Sequence, residues 1–146
     1  MLLMMKIKNI LILCTGNSCR SQIAEGYLRT MVPPEVSVYG AGLEAHGLNP
    51  KAVSVMKEDG IDISHHTSKT IEDVGDIPFD MVITVCDHAH EHCPVFPGVR
   101  ITLHENFPDP AKMTGSEAEV MDGFRKVRDM IREYLEGVVR RLGIRD

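Results

Sequence analysis

Residues Lys6–Cys14 (KIKNILILC) form a short apolar run that stops at a cysteine, and the segment Cys14–Ser21 (CTGNSCRS) leads from it straight into a helical pattern. Ile7, Ile10, Leu11, Ile12 and Leu13 are packed too closely for a strand with one wet face, so the run predicts a strand covered on both sides. From Ser21 to Met31, the residues Ile23, Ala24, Tyr27, Leu28 and Met31 recur at helical intervals, and Pro33-Pro34 ends the stripe. Strand, glycine-containing loop and helix in direct succession make the first part of a βα unit. Such units build parallel sheets with helices packed on the faces.

The alternation continues. Val36–Ala41 predicts a second strand. Asn49-Pro50 is an N-cap with proline at the first helical position, opening a helix to about Asp59 with Gly60 as its stop. A short helix is expected over Thr70–Val74, a third apolar strand over Phe79–Cys86 and a weaker fourth over Val99–Leu103. Ser116 and Glu119 have the spacing of a capping box, after which Val120, Phe124, Val127, Ile131, Tyr134 or Leu135, Val138 and Leu142 mark one face of a long helix ending near Gly143. The expectation is an α/β fold, a three-layer α/β/α arrangement around a central four-stranded parallel sheet, in a single domain over residues 1–146. A chain of 146 residues is the size of one domain and buries a core without disulfide staples.

Composition narrows the function classes. Sixteen Lys and Arg against twenty-one Asp and Glu give a net charge of −5, with no basic run. Three Tyr, four Phe and no Trp leave few rings for stacking bases, so no nucleic-acid partner is expected. The apolar stretch Met1–Cys14 is interrupted by Lys6, Lys8 and Asn9, which suits neither a membrane span nor a signal peptide. A cytoplasmic, monomeric protein without a membrane partner is expected. In that compartment the four cysteines, Cys14, Cys19, Cys86 and Cys93, stay mostly reduced and point to chemistry rather than to a disulfide framework.

Ligands of parallel sheets bind beyond the carboxyl ends of the strands, and the first and third expected strands both end at a cysteine. Between Cys14 and the helix, the backbone of Thr15, Gly16, Asn17, Ser18, Cys19 and Arg20 can form a nest of N–H groups at a helix N-terminus, suited to a tetrahedral oxyanion. Gly16 permits the tight turn, and Arg20 can clamp two oxygens. The same field favours the nucleophilic thiolate of Cys14, to which Ser21 can donate a hydrogen bond. A buried Cys and a surface Arg at an ordinary turn would be the bland reading. Cysteine, arginine and serine at this spacing, on a strand-to-helix boundary, favour the chemical one. Cys19 reads as a small, partly buried side chain whose alternative fate is oxidation with Cys14.

The motif CTGNSCRS resembles the anion loop of the low-molecular-weight protein tyrosine phosphatase family, and Gln22-Ile23-Ala24-Glu25-Gly26 resembles its thioredoxin-coupled arsenate reductase branch, the phosphatases usually having proline at position 22. The similarity runs on through Val38–Gly42, His46–Pro50, Ile61–Ser64, Cys86, Cys93 and Asp109-Pro110. It implies that Cys14 attacks an arsenate held by the loop and Arg20, with Asp109 as general acid. Cys86 then attacks Cys14 to release arsenite, Cys93 resolves the disulfide, and thioredoxin supplies the electrons, with no bound cofactor. For the cysteines to meet, the stretch Asp87–Gly98 is expected to be irregular and mobile. A phosphatase acting on phosphotyrosine or another phosphoester is the alternative. Against it, Ala111-Lys112 stand where phosphatases carry aromatics that flank an aryl ring.

Two further expectations concern cations. Some arsenate reductases of this family share a potassium site; Asn17 and Glu25 match two of its ligands, but Gly40 and Lys69 replace a serine and an aspartate. The Lys69 ammonium is expected to take the cation's place beside Glu25, leaving the enzyme indifferent to potassium. The run Cys86–Cys93 (CDHAHEHC) also admits a metal-binding protein as a third reading. Alternating His88, His90 and His92 would line one face of an extended segment, too spread to close on one ion, so no metal is assigned.

Overall fold

The strand that ends at Cys14 runs through the interior of the sheet. In the computed structural model, which describes residues 6–144, β1 (Asn9–Cys14) lies between β2 (Ser37–Gly42) and β3 (Met81–Thr84), and β4 (Ile101–His104) pairs with β3. The first five residues of the Met1–Cys14 stretch lie outside the described residues. All three pairings are parallel, in the order β2-β1-β3-β4. The chain leaves β1 toward β2 and later returns to β1's other side as β3. A crevice therefore opens at the carboxyl end of β1. Register places Leu13 between Ala41 and Thr84, so Cys14 emerges between Gly42 and the exit of β3.

Helices flank the sheet. Ile10, Leu11, Ile12 and Leu13 are all fully buried, which requires a cover on both faces of β1. The helix α1 (Arg20–Met31) packs on β1 and β2, α2 (Pro50–Glu58) on α1, α3 (Asp87–Glu91) on β1 and β3, and α4 (Glu117–Leu142) against α1 and α2. Asn49 caps α2 by accepting from Lys51 N–H, and the expected capping box of Ser116 and Glu119 opens α4. Gly143 ends α4 in the left-handed conformation, at φ 66°. Single 3-10 turns cover Glu72–Val74 and Pro110–Lys112. No helix among the described residues is long and apolar enough to cross a membrane.

Two expectations need correction. The third strand, Met81–Thr84, is shorter than Phe79–Cys86 at both ends: Phe79 and Asp80 precede it, and after it Val85 N–H still donates to Leu13 O before Cys86 caps α3. The segment after Cys86 is neither irregular nor extended at its start: Asp87–Glu91 is helical, with the Cys86 sulfur accepting from Ala89 N–H as its cap. The histidines are thereby divided. His88 and His92 lie one turn apart, with ring centroids 4.5 Å apart, while His90 stacks on His104. Among the described residues no group of three or more His, Cys, Asp or Glu is placed to hold a metal ion, so the metal-binding reading finds no support.

Asp80 ties β1 to the start of β3. Its carboxylate accepts from the N–H groups of Lys8 and Asn9 at 2.8 and 3.0 Å. Burial opposes its ionisation, but the two N–H donors and Arg100 outweigh that and hold its carboxyl below the ordinary carboxylate range. The stability this confers is present above the unfolded carboxyl's value near 4 and is lost as pH falls through the lower folded value. Asp80→Asn is expected to lower stability by about 1–2 kcal/mol at neutral pH. In urea melts it should also flatten the loss of stability as pH falls below about 4, where the native protein's curve still falls.

Candidate active site

The loop from Cys14 to Cys19 turns every carbonyl outward. Cys14, Thr15, Gly16 and Ser18 O accept from the N–H groups of Leu43, Glu44, His46 and Asn49, at 2.9–3.3 Å. Asn17 O accepts from Gln22 Nε2 and Cys19 O from Ile23 N–H. With these carbonyls bonded, four of them to a strap formed by residues 43–49, the loop's amides are the backbone groups left to meet an anion. Gly42 makes the strap possible: a Cβ there would strike Thr15 O, Asn17 N and Glu44 O. The strap is the part of the site that sequence reasoning missed, because its signal is a glycine and a set of backbone bonds.

Asn17, not Gly16, takes the left-handed conformation, at φ 47°, and is fully buried. Its side chain fixes the strained turn: Oδ1 accepts from Gln22 Nε2 and Lys69 N–H, and Nδ2 donates to Ser21 Oγ at 2.6 Å. Gly16 instead makes room for the ring of His46. Because Ser21 Oγ accepts from Asn17, its own proton is free to point at Cys14 Sγ, 2.9 Å away. Asn17 N–H donates to the same sulfur at 3.2 Å. Two donors therefore converge on the one sulfur at the mouth of the loop.

Cys14, Thr15, Gly16, Ser18, Cys19 and Arg20, together with His46, Asp109, Ala111 and Lys112, line a cavity of about 260 Å³. Among the described residues no Phe, Tyr or Trp lines it. Arg20 Nη1 donates to Phe107 O at 3.0 Å, and Nη2 lies 3.7 Å from Asp109 Oδ2. Asp109 thus stands beside the cavity, its other oxygen accepting from Ala111 N–H to cap the turn at Pro110. Cys19 is buried against Val55 and Phe124, and burial pushes its thiol up to about 12, which leaves it protonated and inert.

The other two cysteines are placed differently. Cys86 Sγ lies 3.4 Å from the hydroxyl of Thr15, the residue next to Cys14, and is buried. Cys93 is half-buried in a separate groove with His90, Pro94 and Phe96, its thiol donating to Pro94 O. Burial pushes the Cys93 thiol up. The structure therefore brings Cys86 to the loop of Cys14 and keeps Cys93 apart from both.

The chain matches the model of the family described as low molecular weight phosphotyrosine protein phosphatase over residues 9–145. It belongs to that family. Among its relatives, an arsenate reductase of Halalkalibacterium halodurans is 50% identical over 127 residues, spanning 87% of this chain and 91% of that protein. An arsenate reductase of Bacillus subtilis is 48% identical over 132 residues, spanning 90% and 95%. A solved structure of an arsenate reductase in the phosphate-binding state superposes with a TM-score of 0.79 at 32% identity, covering 93% of this chain and 99% of that one. A tyrosine phosphatase of Erwinia amylovora, 24% identical over 92% of this chain and 93% of its own, shares the fold with a TM-score of 0.76.

The Lys69 expectation fails against this geometry. Lys69 Nζ donates to Thr67 O at 3.2 Å, and Glu25 is paired with Arg29, one turn further along α1, at 2.8 Å. Burial holds the nearby His66 imidazole below its usual value, so Arg29 balances the buried carboxylate. Glu25 Oε1 has no hydrogen-bond partner and faces the missing Cβ of Gly40. That oxygen alone does not fit a potassium ion, since Arg29 already supplies the charge and Asn17 Oδ1 already accepts two bonds. Exchanging sodium for potassium at constant ionic strength is expected to leave arsenate turnover unchanged, and a clear rise would contradict this reading.

Proposed function

We propose that this protein reduces arsenate to arsenite through Cys14, Cys86 and Cys93, with thioredoxin as the external dithiol. The observation that carries the reading is the contact between Cys86 Sγ and Thr15, which sets a second thiol at the edge of the anion loop. Hydrolysis of an ester has no use for that thiol.

The Cys14 thiolate, held by Ser21 and Asn17 N–H, attacks arsenic while the loop amides and Arg20 hold the oxygens. Asp109 gives a proton to the departing oxygen, which leaves as water. Cys86, deprotonated, attacks Cys14 Sγ: an S–S bond forms, the S–As bond breaks, and its electron pair stays on arsenic, now arsenite. Cys93 then attacks Cys86 Sγ and releases the Cys14 thiolate. Cys86 caps the start of α3 and Cys93 follows its C-cap His92, so the helix stands between two thiols whose Cα atoms a disulfide needs within about 7 Å. The helix must unwind for the second exchange. Its unwinding also exposes Cys93, removing the burial that pushes that thiol up.

The same loop accepts phosphate esters, so weak phosphatase activity accompanies the reduction. NADPH consumption in the presence of thioredoxin, thioredoxin reductase and arsenate tests the proposal. Turnover that requires Cys14, Cys86 and Cys93 individually is expected. Ester hydrolysis without arsenate-dependent NADPH consumption would return the protein to the phosphatases.

A further inference from the structure

The first turn of α3 is pinned by polar side chains for which the relay itself has no use. Thr84, the last residue of β3, is fully buried, and its hydroxyl lies 2.7 Å from His104 Nδ1. His104 Nε2 lies 2.7 Å from Asp87 Oδ1, and the backbone N–H of Asp87 donates to Asn106 Oδ1 at 2.9 Å. His90, the fourth residue of α3, stacks on His104 with ring centroids 4.1 Å apart and planes 15° apart, its Nδ1 3.4 Å from the same threonine hydroxyl. The chain of partners orients the His104 ring: Nε2–H donates to the Asp87 carboxylate, and Nδ1 accepts from Thr84.

The position of this cluster in the chain gives it meaning. Thr84 lies two residues before Cys86 and Asp87 directly after it, so one imidazole at the end of β4 clamps the backbone on both sides of the relay thiol. His90 extends the clamp over the whole first turn, the turn whose Ala89 N–H donates to Cys86 Sγ. The bond between Asp87 and His104 is also the accessible one. The aspartate side chain is 65% exposed and the histidine 24%, so it is the bond that opens without disturbing the core.

We propose that Thr84, Asp87, His90 and His104 form a latch on α3 that holds Cys86 toward the anion loop, and that its release is the conformational step between the first and second disulfides. This rests on the relay read above. His104 and Asp87 are positioning residues: they touch neither substrate nor reacting sulfur. Opening the latch withdraws Cys86 from Cys14 and frees the helix for Cys93, so its loss moves the two exchange rates in opposite directions.

The test is a single turnover with arsenate and no external thiol, quenched in acid, alkylated, and mapped for disulfides by mass spectrometry. In His104→Ala and in Asp87→Ala, formation of the Cys14–Cys86 bond is expected to slow and its conversion to Cys86–Cys93 to accelerate, each by roughly three- to tenfold, the range of a hydrogen bond to a charged, partly exposed group. Both rates unchanged in both variants, or both falling together, would overturn the latch while leaving the relay intact. A native protein that forms no disulfide with arsenate would instead overturn the relay. The latch is then read from iodoacetamide labelling of Cys86 without arsenate, expected to be at least threefold faster in the two variants, as release of about one such bond allows. Equal labelling overturns it.

Discussion

Replacing Cys86 by serine is expected to stop arsenate turnover entirely while leaving hydrolysis of p-nitrophenyl phosphate close to the native rate. The two outcomes separate because the two reactions use different atoms. In the proposed chemistry ester hydrolysis draws on Cys14, the loop amides, Arg20 and Asp109, while Cys86 Sγ lies at the loop's edge, 3.4 Å from the Thr15 hydroxyl. Reduction requires a second thiolate to take up the sulfur of Cys14, and a serine oxygen cannot form that bond. Nor does the change unfold the helix. Serine is a better N-cap than cysteine, and its hydroxyl can replace the sulfur that now accepts from Ala89 N–H. Equal loss of both activities would show that Cys86 serves the loop's structure and not the electron relay.

Arg20→Lys is expected to fail in the opposite way, lowering kcat/KM by about 10²–10³ for arsenate and for p-nitrophenyl phosphate alike, or about 3–4 kcal/mol of transition-state stabilisation. The guanidinium is 12% exposed and already spread over two partners, with Nη1 on Phe107 O and Nη2 toward Asp109. A lysine keeps the charge but loses the planar fork that can hold two oxygens of a tetrahedral anion while bracing the acid's loop. Steady-state rates on both substrates decide it. Native-like kcat/KM on either would mean that the amides alone hold the anion.

The anion loop was legible in the sequence because its chemistry is local. Cys14, Arg20 and Ser21 sit within one strand-to-helix junction, and the closely spaced apolar residues before them specify a strand with two covered faces. The strap was not legible. Its bonds come from the backbone of Leu43, Glu44, His46 and Asn49, and backbone donors carry no residue code. Nor does sequence spacing predict that the strained position is Asn17: the reading favoured Gly16, but a buried asparagine with both ends bonded stabilises the left-handed turn itself. Lys69 misled for a related reason. An i,i+4 arginine on Glu25's own helix lies within reach at no cost in chain closure, whereas Lys69 had to arrive from a distant loop. Helix α3 was hidden by its length and by its cap, since five residues give no periodicity and cysteine is not among the usual capping residues. In the proposed relay that helix sets the order of events: with Cys86 at the loop and Cys93 in a separate groove, the two disulfides are expected in sequence and not in competition.

Arsenite counted after a single exposure to excess arsenate, with no external thiol present, decides whether the relay operates. The electron pair must then come from the protein's own sulfurs, so one arsenite per chain is expected from the native protein and from Cys93→Ser, and none from Cys86→Ser or Cys14→Ser. A native protein that releases no arsenite, or a Cys86→Ser variant that releases as much as the native one, would contradict it.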